Sequence, residues 1–259
     1  RLVDGREGAR QRAYQVQAAS SEEGLQTGRA DLWDSGRVDG EGSLFVPYGG
    51  PPLRSRQRVW WRVRLWDQHD QPTAWSAPAF WEMGLLERAD WQARWVQSAL
   101  IGGARTPAPA PYFRRAFVLG SEVKRARLYV TAMGVYECLL NGVRVGDGIF
   151  RPGWTEYHKR VQYDTYDATA LLRRGDNVLG AILGDGWFSG HVANRDRQTY
   201  GDRPRLLAQL EIELADGTTQ VLASDERWRW SAGPILESDM IMGEAYDARR
   251  ELPGWDAPG

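Results

Sequence analysis

The fold of this chain is decided by residues 134–190, which read GVYECLLNGVRVGDGIFRPGWTEYHKRVQYDTYDATALLRRGDNVLGAILGDGWFSG. Asn141-Gly142 lies between two apolar runs and favours a tight hairpin, because both residues tolerate a positive φ. The apolar run 177–183 is typical of a central strand that is buried on both faces. The stretch therefore predicts an antiparallel β-sandwich with a concave loop end.

The flanking sequence also has the period of strands and turns. Residues 206–214 alternate, which predicts Leu210, Ile212 and Leu214 on the inward face and Gln209, Glu211 and Glu213 on the outward face. From Tyr112 onward the sequence therefore predicts a jelly roll of about eight strands, without any helix of three or more turns.

The first third of the chain has a different strand pattern. Residues 59–66 (VWWRVRLW) alternate, with Val59, Trp61, Val63 and Leu65 on one face. Short strands with a turn about every ten residues favour an immunoglobulin-like or fibronectin-type sandwich. This sandwich lacks its first strand, which we expect before Arg1. Residues 84–95 are compatible with a short helix or an extended linker.

Composition limits the classes of function. The net charge of −1 argues against nucleic acid or an anionic membrane as the main partner. Cys138 is the single cysteine, which excludes an internal disulfide and a cysteine-based zinc site. No apolar run is long enough for a transmembrane helix. The chain starts at Arg1 and not at Met, so the compartment stays open.

No catalytic motif is present in the sequence. His69, His158 and His191 are far apart, and no serine or cysteine lies in a nucleophile-elbow context. Gly-rich segments do not open a long helix, so they do not predict a phosphate site. Carboxylates are plentiful, but the sequence does not select any two of them as a glycosidase pair.

Binding is more plausible than catalysis, because the loop end of a sandwich carries variable polar and aromatic side chains on a fixed scaffold. Two loops, 147–159 and 185–202, supply the candidates for sugar contact or domain docking: Trp154, Tyr157, Asp185, Trp187, Asn194, Asp196, Tyr200 and Asp202. Their oxygen-bearing side chains also suit Ca²⁺, although no EF-hand register is present. The alternative is that the aromatic rings plug the sandwich end.

Eight segments in the same order closely resemble the N-terminal region of bacterial α-L-rhamnosidases of glycoside hydrolase family 78. The resemblance covers essentially the whole chain. It is carried by LWDSGRV, WWRVRLWDQHDQPTAWS and GLLERADWQARWV, and then by APYFRRAF, LNGVRVGD, PGWTEYHKRVQYDTYDAT, GDNVLGAILGDGWFSG and YGDRPRLLAQL.

The resemblance implies an all-β chain in four parts. These are an incomplete fibronectin type III-like or immunoglobulin-like sandwich at 1–83, a linker at 84–96, a galactose-binding-like jelly roll at 97–247, and the start of a connection at 248–259. It also implies an inverting parent glycosidase that removes terminal α-L-rhamnose with two carboxylates. In the family these carboxylates lie in a downstream (α/α)6 barrel, so we expect this chain alone to be inactive.

The resemblance leaves two roles open for the jelly roll. In the first, it supports the catalytic barrel. In the second, it is a carbohydrate-binding module for L-rhamnose, either with or without a dependence on calcium.

Overall fold

The computed structural model describes residues 7–259, so the first six residues of the expected 1–83 domain lie outside it. The chain divides into two compact units, unit 1 (residues 1–90) and unit 2 (residues 91–259). Their elements are almost entirely antiparallel strands, which confirms the all-β prediction. Among residues 7–259, no helix is long and apolar enough to cross a membrane.

Unit 1 is built around one antiparallel sheet. Its strands are β1 (Gln11–Ala19), β2 (Trp33–Asp34), β3 (Val38–Asp39), β4 (Arg58–Asp67) and β5 (Ala79–Glu82). They lie in the order β2-β1-β4-β5, and β3 also pairs with β1. The short helix α1 (Glu22–Gln26) begins after Ser21, whose hydroxyl accepts a hydrogen bond from the Gly24 N–H at 3.1 Å.

The two faces of this sheet differ in chemistry. On one face, arginine and tryptophan alternate in a cation–π ladder. The Arg64 guanidinium lies 4.9 Å from the ring centre of Trp66 and 4.7 Å from that of Trp75, and Arg62 lies 4.4 Å from Trp75. The opposite face is apolar and lines a groove of about 620 Å³ that contains Trp61 and Val63. Residues 7–90 therefore form one antiparallel sheet with a polar, arginine-rich face and an apolar face.

Unit 2 contains two five-stranded sheets. Its strands are β6 (Val96–Gln97), β7 (Pro111–Leu119), β8 (Val123–Met133), β9 (Val135–Leu140), β10 (Val143–Arg144), β11 (Asp164–Asp167), β12 (Gly175–Gly184), β13 (Arg205–Leu214), β14 (Thr219–Ala223), β15 (Arg229–Ala232), β16 (Ile235–Asp239) and β17 (Gly243–Tyr246). One sheet has the order β10-β9-β12-β7-β15. The other has the order β11-β8-β13-β14, with β6 also on β13. Strands β16 and β17 form a separate hairpin.

The Asn-Gly hairpin fixes the centre of unit 2. Asn141 (φ 54°) and Gly142 (φ 81°) both have positive φ, as the sequence predicts for this turn. The side-chain NH2 of Asn141 donates to the side-chain oxygen of the buried Asn177 at 2.8 Å. The side-chain oxygen of Asn141 accepts from the Val178 N–H at 2.8 Å. The turn is therefore locked onto β12, the central strand.

The outward face of β13 is not open to solvent. Gln209 lies on the side of the strand away from the hydrophobic core, as predicted, yet it is fully buried. Its carbonyl accepts from the Gln92 N–H at 2.6 Å and the Ala93 N–H at 3.2 Å. The segment at the start of unit 2 covers this face of β13, and it needs a buried acceptor for two backbone donors.

The last residues of the chain pack on the outer face of the β7–β12 sheet. The Arg114 guanidinium donates to the Trp255 carbonyl at 2.7 Å, and the Trp255 indole meets Tyr112 edge-on at 5.0 Å. A Cβ at Gly180 would lie 2.7 Å from the Trp255 ring, closer than atoms can approach. Glycine at this strand position therefore makes room for the indole.

Candidate functional site

Three segments meet at one end of unit 2, which we call the loop end: residues 147–159, residues 185–202 and the β16–β17 hairpin. The Asp185 N–H donates to the Ser238 carbonyl at 3.2 Å, and the Tyr136 N–H donates to Arg151 at 2.9 Å. The sequence predicted the first two segments and missed the hairpin. The sequence signal for this hairpin was Gly243, a turn residue between two short segments that contain apolar side chains. In the structure Gly243 has a φ of +92°.

The predicted aromatic residues form two contacting pairs. Trp154 is half-exposed and stacks on Trp187, with ring centres 5.2 Å apart and planes 26° apart. Tyr157 is buried and meets Tyr200 at 5.1 Å and Phe188 at 5.3 Å. Burial raises the pKa of Tyr157 to about 12. The first pair is a surface feature, whereas Tyr157 fills the interior between the loops.

The predicted polar residues do not gather at one point. Asn194 and Asp196 are exposed, and Asp196 lies 3.6 Å from the Arg105 guanidinium. Asp202 forms an ion pair with its neighbour Arg203 at 2.7 Å. Asp185 is buried with 4% exposure, so its position does not suit direct contact with a surface ligand.

Asp185 belongs to a buried charged cluster that the sequence did not reveal. The Arg197 guanidinium, with a side chain only 3% exposed, lies 2.7 Å from Asp185 and 3.4 Å from Asp239. The His191 ring lies 2.9 Å from Asp239, and the Ser189 hydroxyl donates to Asp185 at 2.9 Å. Two buried carboxylates thus share one buried guanidinium. Sequence reasoning missed this cluster because residues 185 and 239 are distant in the chain.

The two carboxyl groups respond differently to burial. Burial raises the pKa of Asp185, although the positive charge of Arg197 opposes this shift. Burial also acts to raise the pKa of Asp239, but the hydrogen bonds that it accepts from the Met242, His191 and Ile241 N–H groups outweigh this and lower it to about 2. Asp239 is therefore an anion at neutral pH.

Asp239 fixes the turn of the β16–β17 hairpin. Its carboxylate accepts from the Ile241 N–H at 2.9 Å and the Met242 N–H at 3.0 Å. The same carboxylate accepts from the His191 N–H at 2.8 Å, which joins the hairpin to the second loop. The cluster therefore holds two large apolar side chains, Ile241 and Met242, at the surface, where they are 47% and 69% exposed.

An apolar groove of about 520 Å³ lies beside this hairpin. Ile182 and Val135 line it from the sheet, and Ile149 and Phe150 line it from the first loop. Ile149 and Phe150 are more than half exposed. Ile241 and Met242 lie on the hairpin turn at the same end of unit 2. We call these four exposed apolar side chains the apolar patch, because exposed apolar side chains of this kind mark interaction surfaces in soluble proteins.

The candidate carboxylates of the loop end do not form a calcium site. Within residues 7–259, no group of three or more His, Cys, Asp or Glu side chains is arranged to hold a metal. The buried carboxylates Asp185 and Asp239 already bond the Arg197 guanidinium. A cation between them would meet the fixed positive charge of that arginine.

Two family models match the chain. Residues 1–87 match the Rha78A-like N-terminal immunoglobulin domain, and residues 121–259 match the α-L-rhamnosidase N-terminal domain. The first match agrees with the predicted immunoglobulin-like sandwich, and the second covers more than half of the chain.

Curated relatives and solved structures agree with these matches. An α-L-rhamnosidase of Alteromonas sp. (strain LOR) is 40% identical over 99% of this chain, which spans 28% of that relative. The crystal structure of the Streptomyces avermitilis α-L-rhamnosidase complexed with L-rhamnose has a TM-score of 0.88 at 29% identity, and the match covers 99% of this chain and 41% of that one.

The structure of the α-L-rhamnosidase from Dictyoglumus thermophilum also has a TM-score of 0.88, at 34% identity, over 99% of this chain and 30% of that one. The chain thus spans well under half the length of each of these relatives. Because the family model covers most of unit 2 and the relatives cover nearly the whole chain, this chain belongs to the family of α-L-rhamnosidase N-terminal domains.

Proposed function

We propose that this chain is the non-catalytic N-terminal part of an inverting α-L-rhamnosidase that removes terminal α-L-rhamnose from glycosides. The chemistry belongs to a downstream (α/α)6 barrel of the same protein, and the loop end of unit 2 supports that barrel. The observation that carries the supporting role is the apolar patch of Ile149, Phe150, Ile241 and Met242. The buried cluster fixes the last two of these through the backbone N–H groups that Asp239 accepts from. Such a patch is costly in water and gains free energy when another surface covers it.

The purified chain is expected to show no rhamnoside hydrolysis, because the two catalytic carboxylates of an inverting glycosidase lie elsewhere in the protein. The measurement is release of nitrophenol from p-nitrophenyl α-L-rhamnopyranoside by this chain and by the full-length protein. The full-length protein is expected to turn over the substrate. Turnover by the chain that survives repeated chromatography would contradict the proposal.

A charge on the hairpin tip is expected to weaken docking. In the full-length protein, Met242→Glu should lower the free energy of unfolding by about 1 to 3 kcal/mol, because docking would bury an unpaired carboxylate. The same substitution in this chain alone should cost much less, since Met242 is then 69% exposed.

Val221 is the matched control for this test. It is another exposed apolar side chain, 36% exposed on β14 of the opposite sheet. Val221→Glu should have the same small effect in both proteins. Equal losses for Met242→Glu in the chain and in the full-length protein would exclude the hairpin tip from the docking surface.

A further inference from the structure

A second hollow lies away from the loop end, at the open edge of the unit 2 sandwich. Strand β6 lies at an edge of one sheet, and β15 is the outermost strand of the other. Between them is a hollow of about 370 Å³, which is within the usual size range of small-ligand sites. Three indole rings line it, those of Trp95, Trp228 and Trp230.

The core accounts for only one of these indoles. Trp228 is 7% exposed, belongs to the hydrophobic core, and donates its indole N–H to the Ala223 carbonyl at 3.1 Å. Trp95 and Trp230 are 37% and 39% exposed and lie outside that core. Within the part of the chain that the structure describes, no ring-to-ring contact involves either of them. Both rings thus keep apolar area in contact with water, at a cost in free energy.

Polar side chains complete the lining. Arg94 offers guanidinium donors, Gln97 offers both a donor and an acceptor, and Glu226 offers carboxylate acceptors. Asp225 also lines the hollow, but the Arg227 guanidinium holds it at 2.8 Å. Apolar ring faces next to mixed donors and acceptors match one chemical class, a pyranose, whose C–H face is apolar and whose rim carries hydroxyl groups.

The backbone around the hollow is fixed by hydrogen bonds. The Arg94 N–H donates to the Ser224 carbonyl at 2.7 Å, and the fully buried Ser224 hydroxyl donates to the Arg94 carbonyl at 2.6 Å. The Trp228 N–H donates to Asp225 at 3.2 Å. A site formed before the ligand arrives loses less conformational entropy on binding.

We propose that this hollow is a pyranose-binding subsite, in which Trp95 and Trp230 contact the apolar face of the sugar and Arg94, Gln97 and Glu226 contact its hydroxyl groups. The subsite goes beyond the supporting role proposed above and does not depend on it. It also differs from the pair expected from the sequence, because Trp154 and Trp187 stack on each other and each covers one face of its partner.

The test is calorimetric titration of this chain with methyl α-L-rhamnopyranoside and with D-glucose. We expect saturable binding of at least one sugar with a dissociation constant of about 1 mM, as is usual for a single shallow subsite. Trp230→Ala and Trp95→Ala should each weaken that binding by about tenfold or more. Trp154→Ala, which removes an exposed indole at the other site, should leave it unchanged.

Each outcome decides the proposal. Loss of binding in Trp154→Ala with retention in Trp230→Ala would move the site to the loop end and overturn it. The absence of saturable binding for both sugars would also overturn it. If circular dichroism shows that Trp230→Ala is unfolded, Glu226→Gln is the variant that tests the proposal. Glu226 is exposed, so its substitution should leave the fold intact and still weaken binding severalfold.

Discussion

Replacing Arg197 with methionine is expected to lower the free energy of unfolding of unit 2 by about 3 to 5 kcal/mol. The guanidinium is the shared partner of two carboxylates, Asp185 and Asp239, whose side chains are only 5% and 3% exposed. Methionine leaves both carboxylates buried without this partner. When one member of a buried ion pair is removed, the remaining charge still carries its full desolvation penalty.

Urea unfolding monitored by tryptophan fluorescence measures this loss. Arg249→Met is the matched control, because Arg249 also pairs with an aspartate, Asp247 at 2.8 Å, but its side chain is 89% exposed. That exposed pair should contribute far less, because water screens the attraction between its charges. Adding Asp185→Asn to Arg197→Met should restore part of the stability, since one uncompensated buried charge is then removed. Equal effects of the two arginine substitutions would refute a structural role for the cluster.

Gly134→Ala is expected to cost unit 2 about 2 kcal/mol or more. Gly134 joins β8 of one sheet to β9 of the other, and it has a φ of +124°, which residues with a Cβ rarely adopt. A Cβ at this position would also lie 2.5 Å from the Gly184 carbonyl oxygen. Both the backbone and its neighbouring strand would have to move.

Gly142→Ala separates the cost of the positive φ from the cost of steric crowding. Gly142 also has a positive φ, +81°, but no atom lies within 4 Å of the position that its Cβ would take. In this control the free energy of unfolding should therefore fall by only about 1 kcal/mol, the cost of placing a residue with a Cβ at positive φ. Thermal unfolding of both variants gives the comparison. A Gly142→Ala loss as large as that of Gly134→Ala would mean that crowding at the sheet crossing contributes little.

The supporting role and the pyranose subsite are independent proposals about different surfaces. The apolar patch at the loop end includes Ile241 and Met242, whereas the hollow at the sandwich edge includes Trp95 and Trp230. The full-length protein is able to dock through the first and bind sugar through the second. The Met242 and Trp230 variants therefore test each proposal without disturbing the other.

Local patterns in the sequence were enough for much of the fold. The Asn141-Gly142 turn, the alternation around Leu210 and the apolar run that became β12 each depend on residues that are close in the chain. The exposed Trp154 and the buried Tyr157 illustrate the limit of such reasoning. Both are aromatic residues in one loop, yet Tyr157 is buried between rings from the second loop.

What the sequence determined by itself was the strand content, the order of the two sandwiches and the resemblance to rhamnosidases, because turn chemistry, side-chain period and motif order are local properties. Only the tertiary structure decided which side chains meet. Arg197 binds Asp239 across 42 positions of the chain, and Trp95 and Trp230 line the same hollow although they are distant in the sequence. Such contacts depend on how strands are arranged in space, and the period of a single strand carries no information about that arrangement.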